Sequence, residues 1–405
     1  MTVFQRFQSL AVPYQMLNES GYNPFNVHWD EVLSPTEVRV RGRTLVLAGA
    51  NNYLGMTYDP LCVQAGIDAL RANGTGTTGS RIANGTFPQH SGLEAQLAEA
   101  YGVDCAMVFT TGFQANLGVI STVAGPEDVL LIDSDSHASI YDACKLSPAK
   151  IIRFRHNDPK DLDNRLARLA DHPGHKFVVS EGIFSMLGDA APLADIVDVK
   201  SRHGAYLILD EAHSLGVYGD RGLGLAEEEG LLDEMDIITG TFSKSLGAVG
   251  GFCTSNLPGF DVMRVVCRPY MFSASLPPSV IATVQEALKL MQERPELRRK
   301  LWDNVGILHT GLKQAGFELG PMPSPIVAVH VASRELAVMM WRELFLRGYY
   351  VNVAASPATP SGVNLLRCSV SAAHSREQME GLVDAIIAVR RDMQVDLIPA
   401  AFAAQ

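Results

Sequence analysis

A lysine and an aspartate stand where two buried stretches of chain turn polar. Lys244 lies in Gly240-Thr-Phe-Ser-Lys-Ser-Leu-Gly247, directly after the apolar run Met235-Asp-Ile-Ile-Thr239. Asp210 opens Asp210-Glu-Ala-His213, directly after Ala205-Tyr-Leu-Ile-Leu209. Each run reads as a buried strand, so both groups sit at strand ends, where ligand chemistry gathers in parallel sheets. An amine within reach of a carbonyl cofactor, with a carboxylate able to pair with a pyridinium nitrogen, is the minimum apparatus of a pyridoxal-phosphate enzyme. A free lysine, with a pKa of about 10.4, is a poor nucleophile at neutral pH. Burial beside a cationic ring lowers that value, which suits both imine formation and proton transfer.

Further groups fall in step. Thr110-Thr-Gly112-Phe113 leaves a strand and enters a helix, whose unpaired N–H groups favour an anion such as a cofactor phosphate. Thr241 and Ser243 flank Lys244 and are natural phosphate ligands. His137, in Asp133-Ser-Asp-Ser-His137, follows another strand end and could stack on the cofactor ring. His213, and Ser185 in Glu181-Gly-Ile-Phe-Ser185, could reach the phenolic oxygen of that ring.

Plainer readings exist for each piece. A lone lysine after a strand is usually a solvated surface group, and His137 alone would be a polar loop residue. Asp133, Asp135 and His137 are spaced as metal ligands could be, but no second His or Cys cluster completes a site, so no metal is expected. Asp-Glu-Ala-His is also a helicase motif. That reading needs a phosphate loop ending in Gly-Lys-Ser/Thr. The nearest candidate, Gly74-Thr-Gly-Thr-Thr-Gly79, runs into Ser80-Arg81 with no lysine. The joint occurrence of Lys244, Asp210 and His137 favours the cofactor reading.

These groups need a sheet to hold them. Short apolar runs at 106–109, 129–133, 150–154, 176–180, 206–210 and 236–239 alternate with helical segments, with Gly250-Gly-Phe-Cys-Thr254 as a closing edge strand. That pattern predicts an α/β fold with a mostly parallel, seven-stranded sheet covered by helices on both faces. Residues 1–55 read as an N-terminal segment, helical, then irregular to about residue 36, then a β-hairpin turning at Gly42. Residues 56–279 form the large α/β domain. Residues 280–405 form a smaller α+β domain, opening with one long helix from Val280 to about Gly311. It continues with strands at 326–331, 349–353 and 364–370, and a turn-rich loop at 356–362.

The 405 residues carry a net charge of −11, which argues against nucleic acid, whose phosphates need clustered Lys and Arg. Six scattered cysteines without a C-x-x-C pair fit a reducing compartment rather than a disulfide or zinc framework. The N-terminus shows no signal peptide, and no apolar run reaches the roughly 18 residues of a membrane span. A cytoplasmic protein is expected, with peripheral membrane contact compatible with the sequence. The low charged content, 19%, suggests surface buried in an oligomer.

Taken together, Asn52-Tyr-Leu-Gly55, Gly74-Thr-Gly-Thr-Thr-Gly-Ser-Arg81, Asp210-Glu-Ala-His-Ser-Leu-Gly216 and Thr241-Phe-Ser-Lys-Ser-Leu-Gly247 resemble the α-oxoamine synthases. These are fold-type-I pyridoxal-phosphate enzymes that condense an amino acid with an acyl-CoA and lose CO₂. Asn84-Gly-Thr-Phe87, Ser185-Met-Leu-Gly-Asp189 and Arg268-Pro-Tyr-Met-Phe-Ser-Ala274 are most similar to the bacterial serine-using branch. Asn51 departs from that branch, where an aromatic residue is expected.

The resemblance implies Lys244 as the lysine bonded to the cofactor, Asp210 at the ring nitrogen and His137 stacked on the ring. It places His213 and Ser185 near the phenolic oxygen. Gly112, Phe113, Thr241 and Ser243 are further cofactor residues, and Ser273 and Ala274 would reach the phosphate of the neighbouring subunit in a homodimer with shared active sites. Asn52 and Arg367 are implied as substrate ligands, Arg367 for the carboxylate, a job that suits a guanidinium fork. L-serine and a long-chain acyl-CoA, or an acyl-carrier-protein thioester, are the implied partners. The rivals are a sister enzyme using glycine or alanine, a transaminase on the same fold, and a non-catalytic subunit that would need none of these groups.

Overall fold

The computed structural model describes residues 2–356, 359 and 362–394, and divides them between two compact units. One comprises residues 51–302 with 371–373, the other the described residues among 1–50, 303–370 and 374–405. Part of the expected 356–362 loop, residues 357, 358, 360 and 361, lies outside the described residues.

The second of these units opens the chain. Strands β1 (Glu31–Ser34), β2 (Glu37–Val40) and β3 (Arg43–Leu47) form an antiparallel meander. The hairpin between β2 and β3 turns through Arg41 (φ 51°) and Gly42 (φ 73°), the paired left-handed geometry of a tight turn between twisted strands. Strand β1 lies in a stretch read as irregular; its four residues are exposed or half-buried, too short and too polar to leave an alternating pattern.

The other unit is built on seven strands: β4 (Cys105–Phe109), β5 (Val129–Asp133), β6 (Lys150–Phe154), β7 (Lys176–Glu181), β8 (Tyr206–Asp210), β9 (Ile237–Thr241) and β10 (Gly251–Ser255). Their order is β4-β10-β9-β8-β7-β5-β6. The pairs from β9 through β6 are parallel, and β10 runs antiparallel to both neighbours. Strand β10 was expected at an edge and lies inside the sheet instead. The short connection 242–250 carries no crossover helix, so it can only return the chain antiparallel beside β9. All five residues of β10 are buried, as an interior position requires.

Register then lines up the chemistry. Glu181 pairs with Asp210, Asp210 with Thr239, and Thr241 with Gly251, itself opposite Phe109. The carboxyl ends of β4, β7, β8 and β9 therefore lie within two residues of one another along the sheet. Beneath them Leu130, Ile132, Val179, Ile208 and Ile237 are fully buried, each side chain contributing about 1.5–3 kcal/mol of transfer free energy. The helix Gly112–Val123 packs its Ala115, Val119 and Ile120 into that core.

The long helix expected from residue 280 is two helices, Pro278–Glu293 and Pro295–Gln314. Pro295 disfavours helical geometry at Arg294, which is non-helical (φ −119°, ψ 66°), so the break falls there. Back in the second unit are β11 (Ile326–His330), β12 (Tyr349–Tyr350), β13 (Asn352–Ala355) and β14 (Asn364–Ser369). The strand expected at 349–353 is divided: β12 extends the meander parallel to β3, while β13 pairs antiparallel with β14, whose other edge holds β11.

Candidate active site

Asp210 ends β8 and is 5% exposed. Its Oδ2 accepts from Asn116 Nδ2 at 2.6 Å and its Oδ1 from the Ala212 N–H at 2.8 Å. Asn116 is fixed in turn, since its Oδ1 accepts from Thr239 Oγ1 at 2.6 Å and its Nδ2 also donates to Ser139 Oγ at 2.9 Å. The amide and the backbone N–H are neutral donors, which hold a carboxylate in place while leaving its charge for a cationic partner.

His137 caps the helix Ala138–Leu146. Its Nδ1 accepts from the Ser139 N–H at 3.2 Å and lies 2.8 Å from Ser139 Oγ. Its backbone N–H donates to Glu181 Oε1 at 2.5 Å. The imidazole reaches solvent, yet surrounding protein lowers its pKa below the ordinary histidine value. The Asp210 charge opposes that shift and the Lys244 ammonium reinforces it. Glu181 is completely buried, and burial with the neighbouring Asp210 charge pushes its carboxyl well above the usual range, against the His137 N–H and Lys244. Lys244 and Asp210 thus act on the same two neighbours, which brings the sequence-predicted lysine, aspartate and histidine into one site.

Lys244 itself is half-buried in the turn after β9. That turn is braced by Thr241 Oγ1, which donates to the Gly250 carbonyl at 2.8 Å and lies 2.8 Å from Ser243 Oγ. The helix Gly112–Val123 starts against it. A Cβ on Gly112 would come within 2.7 Å of Thr241 Cβ, and one on Gly251 within 2.5 Å of the Gly112 nitrogen. Side chains are excluded at both places, so the helix start lies tight against Thr241, and its first N–H groups with the Thr241 and Ser243 hydroxyls make a cradle suited to a phosphate. Thr111 caps this helix by accepting from the Gln114 N–H at 3.0 Å. Phe113 is partly exposed beside it. Gln114 Nε2 donates to Ser273 Oγ of its own chain at 3.3 Å, and Ala274 bridges Ser80.

His213 is buried, with Nδ1 2.8 Å from Tyr53 Oη, which fixes the ring by one nitrogen. Ser185 sits half-buried in the turn after β7. Asn52 is buried and donates through Nδ2 to Thr57 Oγ1 at 2.8 Å, while its Oδ1 has no hydrogen-bond partner among the described residues. A buried acceptor without a donor costs about 1–3 kcal/mol, which a bound ligand's donor would recover. Arg367 lies on β14 in the other unit, buried, with Nη1 donating to Ser369 Oγ at 2.9 Å.

The chain's groups fit pyridoxal phosphate. There is an anion cradle made of backbone and hydroxyls, a carboxylate held by neutral donors, and an orphaned acceptor. Sequence reasoning missed Asn116, Glu181 and Tyr53. Asn116 carried one signal, a polar residue four positions after Gly112 on a helix face otherwise filled by Ala115, Val119 and Ile120. Glu181 carried the same signal as Asp210, an acid ending an apolar strand.

The chain is similar to known proteins over nearly its whole length. The model of the family "Aminotransferase class I and II" matches residues 43–386. A serine palmitoyltransferase of Caulobacter vibrioides is 54% identical over 383 residues, 95% of each chain. Another, from Sphingomonas paucimobilis, is 48% identical over 396 residues, 97% of this chain and 94% of its own. A high-resolution structure of SPT with PLP internal aldimine superposes with a TM-score of 0.95 at 47% identity, covering 98% of this chain and 100% of its own.

Proposed function

The chain belongs to the class I and II aminotransferase family and within it to the α-oxoamine synthases, and from that premise we propose that it condenses L-serine with a long-chain acyl-CoA, palmitoyl-CoA being the expected donor, to give 3-ketosphinganine and CO₂. It is a pyridoxal-phosphate-dependent acyltransferase with the fold-type-I architecture. The observation that carries the reading is the meeting of Lys244, Asp210 and His137 in one site beside a phosphate cradle.

When bound, the cofactor supplies an electron sink for the charge that develops at the substrate Cα. Lys244 Nζ would hold the cofactor, and as a free amine the same nitrogen would take the Cα proton. Asp210 would hold a protonated ring nitrogen, because Asn116 and the Ala212 N–H orient its carboxylate without neutralising it. His137, with its pKa lowered, stays neutral near pH 7 and can lie flat on a cationic ring without repelling it. His213, fixed by Tyr53, and Ser185 are assigned to the phenolic oxygen. The start of the helix Gly112–Val123, with Phe113, Thr241 and Ser243, is assigned to the cofactor. Ser273 and Ala274 are assigned to the phosphate of a partner subunit in a homodimer. Asn52 and Arg367 are assigned to substrate, Arg367 to its carboxylate.

Among the described residues no helix is long and apolar enough to cross a membrane; a cytoplasmic location with peripheral access to lipid is part of the proposal. The test is a spectral titration of the yellow holoenzyme with serine, glycine and alanine, followed by mass analysis of product across a thioester series. Saturable change with serine and a C18 keto-amine from palmitoyl-CoA are expected. Preference for glycine or alanine would move the chain to a sister activity.

A further inference from the structure

His156 is absorbed by none of the roles above, yet it ties together two loops that carry them. It follows β6 at the sheet edge. Its Nδ1 donates to Asp133 Oδ1 at 2.9 Å and its Nε2 to Asp189 Oδ2 at 2.6 Å. Asp133 is the fully buried last residue of β5, and the chain leaving it reaches His137 four residues later. Asp189 is buried and closes the turn that presents Ser185, where the Phe184 N–H donates to the Asp189 carbonyl at 2.8 Å. The Phe184 ring stands edge-on to the imidazole, 4.5 Å between centroids. Asn157, held at φ 47°, completes the tie by donating to both carboxylates, from its backbone N–H to Asp133 and from Nδ2 to Asp189.

Two carboxylate acceptors demand a proton on each ring nitrogen. Burial opposes that charge, but the hydrogen bonds and charges of Asp133 and Asp189 outweigh it and push the His156 pKa up to about 10. Both nitrogens are thereby occupied, so His156 is not free to serve as an acid, a base or a ring-stacking group.

We infer that His156 is a positioning residue, a two-armed clamp that fixes the His137 loop relative to the Ser185 turn and so sets the shape of the cofactor site. The inference rests on the proposed roles of His137 and Ser185. Without the imidazole the two buried carboxylates keep only Asn157 as a shared donor, the loops loosen, and cofactor binding weakens although no cofactor contact has been removed.

The test titrates apo-protein with pyridoxal phosphate, reading the dissociation constant and the visible band. It compares wild type, H156N, D189N and H203N, the last removing a similar imidazole–carboxylate pair (His203 Nε2 to Asp163 Oδ1, 2.7 Å) remote from both loops. Expected is a dissociation constant raised about tenfold in H156N and less in D189N, with a shifted band in both, the effect of losing one charge-assisted hydrogen bond. H203N should match wild type. Unchanged binding in both H156N and D189N, or equal weakening in H203N, overturns the clamp. If H156N does not fold, D189N decides alone. Wild type that takes up no cofactor would instead defeat the underlying functional reading.

Discussion

Two buried carboxylate clusters stand at the same end of one sheet and are supported in opposite ways. At β8, Asp210 is held by an amide and a backbone N–H. Across β7, at the ends of β5 and β6, Asp133 and Asp189 share the protonated ring of His156. The difference fits the role proposed for each. A carboxylate meant to meet a ligand's cation needs neutral supports, because an internal cation would already have cancelled it. A carboxylate that only holds loops is safest paired, since an isolated buried charge costs several kcal/mol.

That contrast can be broken or sharpened by substitution. The largest effect belongs to Lys244→Ala, which removes the proposed attachment point and base together; turnover should fall by roughly a thousandfold or more. An active variant would remove the lysine from the chemistry. Asp210→Asn keeps the shape and the Ala212 contact but discards the charge and turns a donor toward Asn116 Nδ2, and kcat should fall by roughly a hundredfold. A near-normal rate would show that charge at this position is dispensable. Asn116→Ala leaves the charge and removes one support; a loss of about tenfold, the size of one hydrogen bond to a charged group, should be accompanied by weaker cofactor binding. The smallest effect is on stability. The native-state pKa of His156 is raised to about 10, so its contribution is complete below pH 6.5 and is lost as pH rises through 10. Urea midpoints should therefore decline from pH 7 to pH 10 in wild type and more shallowly in H156N. Parallel profiles would mean that the imidazole is not held as the cation.

The same physics explains what could be read from the chain alone. Asp210 was legible because it directly follows an apolar run, and Lys244 because it stands in the polar turn that ends another. The parallel strands were legible because burial on both faces makes them continuously apolar. Asn116 was not, because one polar side chain on a buried helix reads as noise until Asp210 is seen opposite it. The place of β10 was hidden, since strand order is set by the connection 242–250 and not by the strand's own composition. His156 was hidden for a related reason. Its partners lie 23 and 33 residues away, and only the ordering β7-β5-β6 brings them to it.

The account stands most directly on where the cofactor is attached. Purified protein, reconstituted with pyridoxal phosphate, reduced with borohydride and digested, should carry the cofactor on the peptide containing Lys244, and Asp210→Asn should be labelled at the same lysine with an altered spectrum before reduction. Label on any other lysine, or no label on a folded protein, would contradict it.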